Sequence, residues 1–203
     1  MAGLFITLEG IDGAGKSTHA DYIARHFGRA GRTVVQTREP GGTAVGESIR
    51  ALVLGQSMDV LAETLLIFAA RAQHLGEVVR PAIAAGSVVL CDRFTDATLA
   101  YQCGGRGVPE STVAALASMT HAELSPDLTL LFDTDAATAR ARVMARSATD
   151  RFEREDLAFF ERVRARYLEQ AQREPGRFCV LDAGQSIADV QDSIARALAR
   201  RAG

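Results

Sequence analysis

The chain contains no asparagine, a single lysine and only three cysteines among its 203 residues. Without Asn, the N-K-x-D signature with which switch GTPases read guanine cannot be built. The cysteines, Cys91, Cys103 and Cys179, are odd in number, far apart and lack C-x-x-C spacing. This excludes a disulfide framework and reads as inert thiols in a reducing compartment. No His/Cys cluster has the spacing of a zinc site. No apolar run is long enough to span a bilayer. The opening MAGLFITLEG has no basic region before its apolar stretch, so it reads as a strand and not as a signal peptide. The expected compartment is the cytoplasm. Net charge is −2, which provides no global basic field for nucleic acid or a membrane surface. What is present is ordinary for a globular domain: 47% hydrophobic and 24% charged residues, in a length that fits one domain.

The apolar pattern alternates between short continuous runs and longer helical periodicities. Strands are predicted at 4–10, 33–37, 87–92, 127–133 and 177–183. Helices are predicted from Lys16 to about Ala30, over 44–54, over 59–85 as one or two pieces, over 109–122, over 135–146, from about 155 to Arg173, and over 187–201. A polar break covers 147–154. Strands that are continuous apolar runs, separated by helices, imply a parallel sheet covered on both faces. The expected fold is therefore α/β, a three-layer doubly wound sheet of five parallel strands. Such sheets bind ligands outside the carboxyl ends of their strands.

Gly10-Ile11-Asp12-Gly13-Ala14-Gly15-Lys16-Ser17 fits G-x-x-x-x-G-K-[ST], between a predicted strand and a predicted helix. Glycines let the backbone curl so that its N–H groups face phosphate oxygens, and the helix start adds its positive end. In this pattern Lys16 reaches the β and γ phosphates, and Ser17 can ligate Mg²⁺. An accidental Gly-rich turn is the bland alternative. Of 23 basic residues, Lys16 is the one Lys; the Arg excess by itself can be genome composition. The motif places the fold among P-loop NTPases and nucleotide kinases, and the chain is too short for a large ATPase motor.

Other segments point to a second, phosphorylated substrate. Asp92-Arg93 ends the third strand, where a carboxylate can hold Mg²⁺ and an Arg can grip a phosphate; a helix cap with a paired Arg is the alternative. Arg38-Glu39-Pro40-Gly41-Gly42-Thr43 is either an acceptor-phosphate turn leading to Arg50 or a plain β–α turn. Phe68 and Arg71 share a helix face, as a base-stacking aromatic with a hydrogen-bonding Arg, although a helical Phe is more often core. Thr98, Tyr101 and Gln102, at i, i+3 and i+4, either converge on one ligand or form the wet side of a helix. Arg140, Arg142 and Arg146 precede the polar break, and Arg151 and Arg154 lie in its second half. They read either as a flap closing over transferring phosphate or as a salt-bridged face.

Together these segments resemble the bacterial thymidylate kinases: FITLEGIDGAGKST, TREPGGT, FAARAQH, DRF, LAYQ-x-GGRG, PDLTLLFD and DRFE, in order over nearly the whole chain. The resemblance is to the subclass with no Arg in the P-loop and a catalytic Arg on the LID, here about 143–155 of a single domain. It implies ATP + dTMP → ADP + dTDP with Mg²⁺, ATP and dTMP as partners, and a homodimer. The alternatives are another pyrimidine nucleoside monophosphate kinase or a non-catalytic P-loop protein.

Carried onto this chain, the family pattern puts ATP on Gly10, Ile11, Asp12, Gly13, Ala14, Gly15, Lys16, Ser17 and Thr18, with Arg142 along adenine near the loop after Asp182. Asp12 would lie near the sugar 3′-hydroxyl, and Glu39 near the transferring phosphate and its metal. Arg50 and Arg93 would hold the dTMP phosphate. Phe68 would stack on thymine, with Arg71, Thr98 and Gln102 at its polar edge. Tyr101 would exclude a 2′-hydroxyl. Lys16, Arg93, Arg146 and Arg151 would stabilise the transferring charge, and Ser17 and Asp92 would serve the metal. The chain departs from the pattern twice. Many members carry the stacking aromatic four residues before the Arg, where this chain has Ile67. Cys103 stands where Gly is common.

Overall fold

The computed structural model describes residues 2–145 and 150–200. Five strands, β1 (Leu4–Glu9), β2 (Val34–Arg38), β3 (Val88–Asp92), β4 (Leu128–Asp133) and β5 (Phe178–Asp182), form one sheet in the order β2-β3-β1-β4-β5. Every pairing is parallel, with Leu8 opposite Asp92 on one side and Leu130 on the other. The chain leaves β1 towards β2 at one edge and leaves β3 towards β4 on the other side. The neighbours β1 and β3 thus send their connections in opposite directions, which opens a crevice at their carboxyl ends.

Both faces of the sheet are buried, which explains the unbroken apolar runs. Phe5, Val89 and Cys91 point to one side, where Leu75, Val79 and Phe94 cover them. Ile6, Leu8, Val88 and Leu90 point to the other, into the main core with Ile23, Phe27, Val163 and Ile194. Each such fully buried side chain contributes about 1.5–3 kcal/mol of transfer free energy.

The helices are α1 (Lys16–Arg29), α2 (Ala44–Gly55), α3 (Val60–His74), α4 (Arg80–Ala84), α5 (Thr95–Thr98), α6 (Glu110–His121), α7 (Ala136–Met144), α8 (Leu157–Arg173) and α9 (Ile187–Ala199). Their starts are chemically marked. Thr43, Asp59, Asp135, Asp156 and Ser186 each accept a backbone N–H of the first turn. Gly31, at φ 73°, follows the end of α1 as expected.

Two π-helical segments do not appear in the periodicity. Leu75–Val79 joins α3 to α4, so the predicted 59–85 stretch is two helices with a widened turn between them. Leu99–Gly105 follows α5 and carries Tyr101 and Gln102. Widened turns of this kind are frequent at functional sites.

Candidate active site

The P-loop runs from the end of β1 into α1. Gly10, Gly13 and Gly15 adopt φ of 135°, 83° and 95°. A Cβ at Gly10 would lie 2.4 Å from the Phe132 carbonyl oxygen, and one at Gly13 would lie 2.2 Å from that of Ala139. At Gly10 and Gly13 glycine is required by sterics as well as by dihedral preference, and at Gly15 by dihedral preference alone. Lys16 folds back over the loop, with Nζ donating to the carbonyls of Gly10 at 3.0 Å and Ile11 at 3.3 Å. Burial, then the Arg93 charge, lower its pKa.

Arg93 is the centre of the site. It follows β3 in a left-handed backbone conformation, φ 73°, the one non-glycine with positive φ among the described residues. Strain of this kind costs about 1–3 kcal/mol and concentrates at functional sites. Its Nη2 donates to Asp12 Oδ1 at 2.7 Å and to Tyr101 Oη at 3.0 Å. Its Nη1 donates to the Gly10 carbonyl at 3.1 Å and Tyr167 Oη at 3.2 Å. Tyr101 Oη donates to Asp12 Oδ2 at 2.9 Å. Burial pushes the Asp12 carboxyl up, but Arg93, Lys16 and these hydrogen bonds outweigh it and hold the pKa at about 2.

A pocket opens beside the P-loop, between the β1 and β3 ends and helices α2 and α3. Asp12, Glu39, Arg50, Arg71, Arg93, Thr98, Tyr101 and Gln102 all line it. Arg71 is 1% exposed; its Nε donates to Glu39 Oε2 at 2.6 Å and its Nη2 to Thr98 Oγ1 at 3.0 Å. Arg71 Nη1 is buried without a hydrogen-bond partner among the described residues. Arg50 Nη1 donates to the Pro40 carbonyl at 3.1 Å, next to the cis Glu39–Pro40 peptide.

One expectation is corrected by this geometry. Phe68 does not line the pocket; Ile67 does. One helical step turns a side chain by about 100°, so Phe68 packs with Val108 and Val113, parallel to His121 at 6.2 Å. Its ring instead lies 4.7 Å from the Arg71 guanidinium carbon, supporting that Arg from behind. Cys103 packs against this same small cluster. Glu39 lines the pocket, but both its oxygens are engaged, one by Arg71 and the other by His74 Nδ1 at 2.8 Å. It anchors Arg71.

On the far side of the P-loop, Arg142 donates to the carbonyls of Gly13 at 3.4 Å and Ala183 at 3.1 Å. That brings it beside the loop after Asp182, as the resemblance implies. Arg146 lies outside the described residues. Arg151 is turned away from the P-loop: its Nε donates to the Val53 carbonyl at 3.2 Å and its Nη2 pairs closely with Glu63. Arg151 is thus held by an acid on α3. Asp150 and Phe152 bring this part of the chain to the pocket rim.

The metal residues pass a chemical test. Asp92 Oδ1 is buried without a hydrogen-bond partner among the described residues, with Lys16 Nζ at 4.0 Å. Ser17 shares a shallow concavity with Asp92. An acid oxygen and a hydroxyl beside a phosphate loop suit Mg²⁺, which takes few protein ligands and keeps waters.

Four residues that support the site were not singled out from sequence. Glu9 is wholly buried, accepting from Phe94 N–H at 2.7 Å and Tyr167 Oη at 2.8 Å. Burial, then Asp96, raise its pKa to about 8. Its position directly before Gly10 was the available signal. His74, three residues after Arg71, also carried a signal, whereas Tyr167 and Glu63 look like any amphipathic helix residues.

A five-stranded parallel sheet with this order, a P-loop at the end of β1 and an Arg-lined pocket beside it define an α/β P-loop nucleotide kinase. A sequence profile described as thymidylate kinase matches residues 8–194. The chain is 55% identical over 201 residues to a thymidylate kinase of Pseudomonas syringae pv. tomato, covering 98% of this chain and 96% of that one. It is 56% identical over 194 residues to a thymidylate kinase of Pseudomonas putida, with 94% of each chain covered. Its structure resembles the crystal structure of thymidylate kinase from Ehrlichia chaffeensis, with TM-score 0.76, 32% identity and 98% and 99% of the two chains covered. The chain belongs to the thymidylate kinase family.

Proposed function

We propose that this chain transfers the γ-phosphoryl group of ATP to dTMP, giving ADP and dTDP. The observation that carries the reading is the pocket beside the P-loop, with Arg50 and Arg93 among its lining and Arg71, Thr98 and Gln102 among its polar groups. A phosphate-binding motif alone needs no such second site. Arg50 and Arg93 bind the acceptor phosphate. Arg71, Thr98 and Gln102 meet the base edge, with Ile67 against the ring. Asp12 accepts the sugar 3′-hydroxyl, and Tyr101 fills the space a 2′-hydroxyl would need.

Phosphoryl transfer asks the protein for alignment and charge stabilisation rather than for a covalent intermediate. Lys16 and the loop N–H groups hold the donor phosphates, Arg142 flanks the adenine, and Arg146 of the LID completes the charge on closure. Ser17 and Asp92 would hold Mg²⁺, which would supply positive charge to offset that of the donor phosphates. The LID spans about 143–155. The protein acts as a homodimer: Val45, Leu52, Leu61 and Leu65 are exposed apolar residues on the packed pair α2 and α3. No helix among the described residues is long and apolar enough to cross a membrane.

An ADP-release assay with dTMP, dUMP, dCMP, AMP and GMP tests the reading. Turnover fastest with dTMP is expected. Turnover with none of them would leave a nucleotide-binding protein.

A further inference from the structure

Glu63 lies on α3 and is 1% exposed, yet the phosphoryl-transfer reading gives it no role. It accepts from Gln102 Nε2 at 2.9 Å. Its other oxygen pairs with Arg151, and Arg106 Nε lies 3.8 Å away. Gln102 is itself 2% exposed and lines the pocket.

A side-chain amide has a donating and an accepting end, which a rotation of its last torsion exchanges. A carboxylate flanked by two guanidinium groups accepts only. It therefore holds the Gln102 nitrogen towards α3 and leaves the carbonyl Oε1 as the group offered to the pocket. An unspent donor also belongs to this lining: Arg71 Nη1 is buried without a partner among the described residues. One donor and one acceptor match a 4-keto pyrimidine, whose O4 accepts and whose N3–H donates. Cytosine presents the reverse, an N4 amino donor and an N3 acceptor.

We infer that Glu63 is a specificity-determining positioning residue: by fixing the orientation of the Gln102 amide, it makes the pocket select keto pyrimidines over cytosine. This inference rests on the reading that dTMP occupies the pocket. A site whose buried polar groups fit one partner rejects the mismatched one more strongly than any apolar pocket could.

The test is kcat/KM for dTMP and dCMP in the wild type, Glu63→Gln, Glu63→Asp and Arg151→Ala. In Glu63→Gln the partner amide can itself reverse, so Gln102 is no longer fixed. The dTMP/dCMP ratio should fall at least about fivefold, the low end of what a mispaired buried polar group costs, with part of the change a gain in dCMP turnover. Glu63→Asp keeps an acceptor-only partner and should retain more of the ratio. Arg151→Ala cuts the other bond of Glu63 and should leave the ratio intact. A merely structural role would lower both substrates alike.

If Glu63→Gln fails to fold, ¹⁵N NMR of the wild type decides. The Gln102 amide resonance, assigned by its loss in Gln102→Met, should keep its carboxylate-bonded shift when dTMP binds; release of that bond overturns the inference. Wild-type turnover of dTMP with an unchanged ratio in Glu63→Gln overturns this inference alone. Absence of dTMP turnover in the wild type overturns the functional reading as well.

Discussion

Arg93 and Asp12, 81 positions apart, meet at 2.7 Å across the mouth of the site. One belongs to the end of β3 and the other to the P-loop. The pair joins the pocket lining to the P-loop, and Tyr101 closes the link with bonds to both. The two substrates would therefore meet over a single charged network.

Lys16→Ala should reduce kcat by orders of magnitude while the fold survives. Lys16 packs on loop carbonyls, and its charge is needed on the donor phosphates. Steady-state kinetics and circular dichroism check this. A variant keeping more than about a tenth of the wild-type rate, a barrier change under about 1.4 kcal/mol, removes the role.

Ile67→Ala and Phe68→Ala should separate cleanly. The first, on the pocket wall, should raise KM for dTMP several times more than KM for ATP. The second removes a ring that is 2% exposed and should cost about 3–5 kcal/mol of unfolding free energy. Urea titration and both KM values decide it. The reverse pattern would return Phe68 to the base.

Tyr101→Ala should narrow the preference for dTMP over ribo-TMP. A ribose hydroxyl against the native ring must clash or lose a partner, at about 1–3 kcal/mol. Tyr101→Phe keeps the ring and should keep the preference. Competition between the two nucleotides measures both, and an unaltered preference in Tyr101→Ala takes the ring out of sugar selection.

Glu9 should give a pH dependence to stability. Its pKa rises from 4.5 to about 8 on folding. Between those values the unfolded chain has released the proton while the folded chain retains it. The unfolded state then binds fewer protons, so stability falls as pH rises through this window. Urea midpoints at pH 5 and pH 8 should converge in Glu9→Gln relative to the wild type. An equal drop in both proteins would show the slope comes from elsewhere.

The LID arginines should affect kcat before KM. An Arg that reaches phosphate only on closure acts in the transition state. Arg146→Ala should cost at least about tenfold in kcat, or about 1.4 kcal/mol. Arg151→Ala should act differently, loosening the LID from α2 and α3 because its bonds go to Val53 and Glu63. Near wild-type turnover in both single variants and in the double variant would dismiss the LID from catalysis.

Sequence periodicity resolved the sheet and its helices because β1, β3 and β4 are buried on both faces and Asp, Ser or Thr caps mark many helix starts. It did not resolve the π-helical segments, since one extra residue in a turn leaves the apolar pattern nearly unchanged. Motif spacing led to Gly10–Ser17, Asp92 and Arg93. At Phe68 it led to the wrong wall: the aromatic is one residue off the pocket-facing position, and composition outweighed phase. Glu63 and Tyr167 were invisible because their partners, Gln102 and Arg151 for one and Glu9 and Arg93 for the other, lie 39 to 158 residues away.

Lys16 has a practical consequence for anyone handling the protein. It is the chain's one lysine, 7% exposed, and its pKa is lowered by burial. Apart from the α-amino group, an amine-directed label therefore has one destination, the floor of the phosphate cradle. Acylation of that amine becomes a count of competent cradles, and protection by ATP becomes a direct reading of occupancy. Immobilising or tagging the protein through lysine would meet the opposite fate, since the chain's one lysine is the residue proposed to hold the donor phosphates.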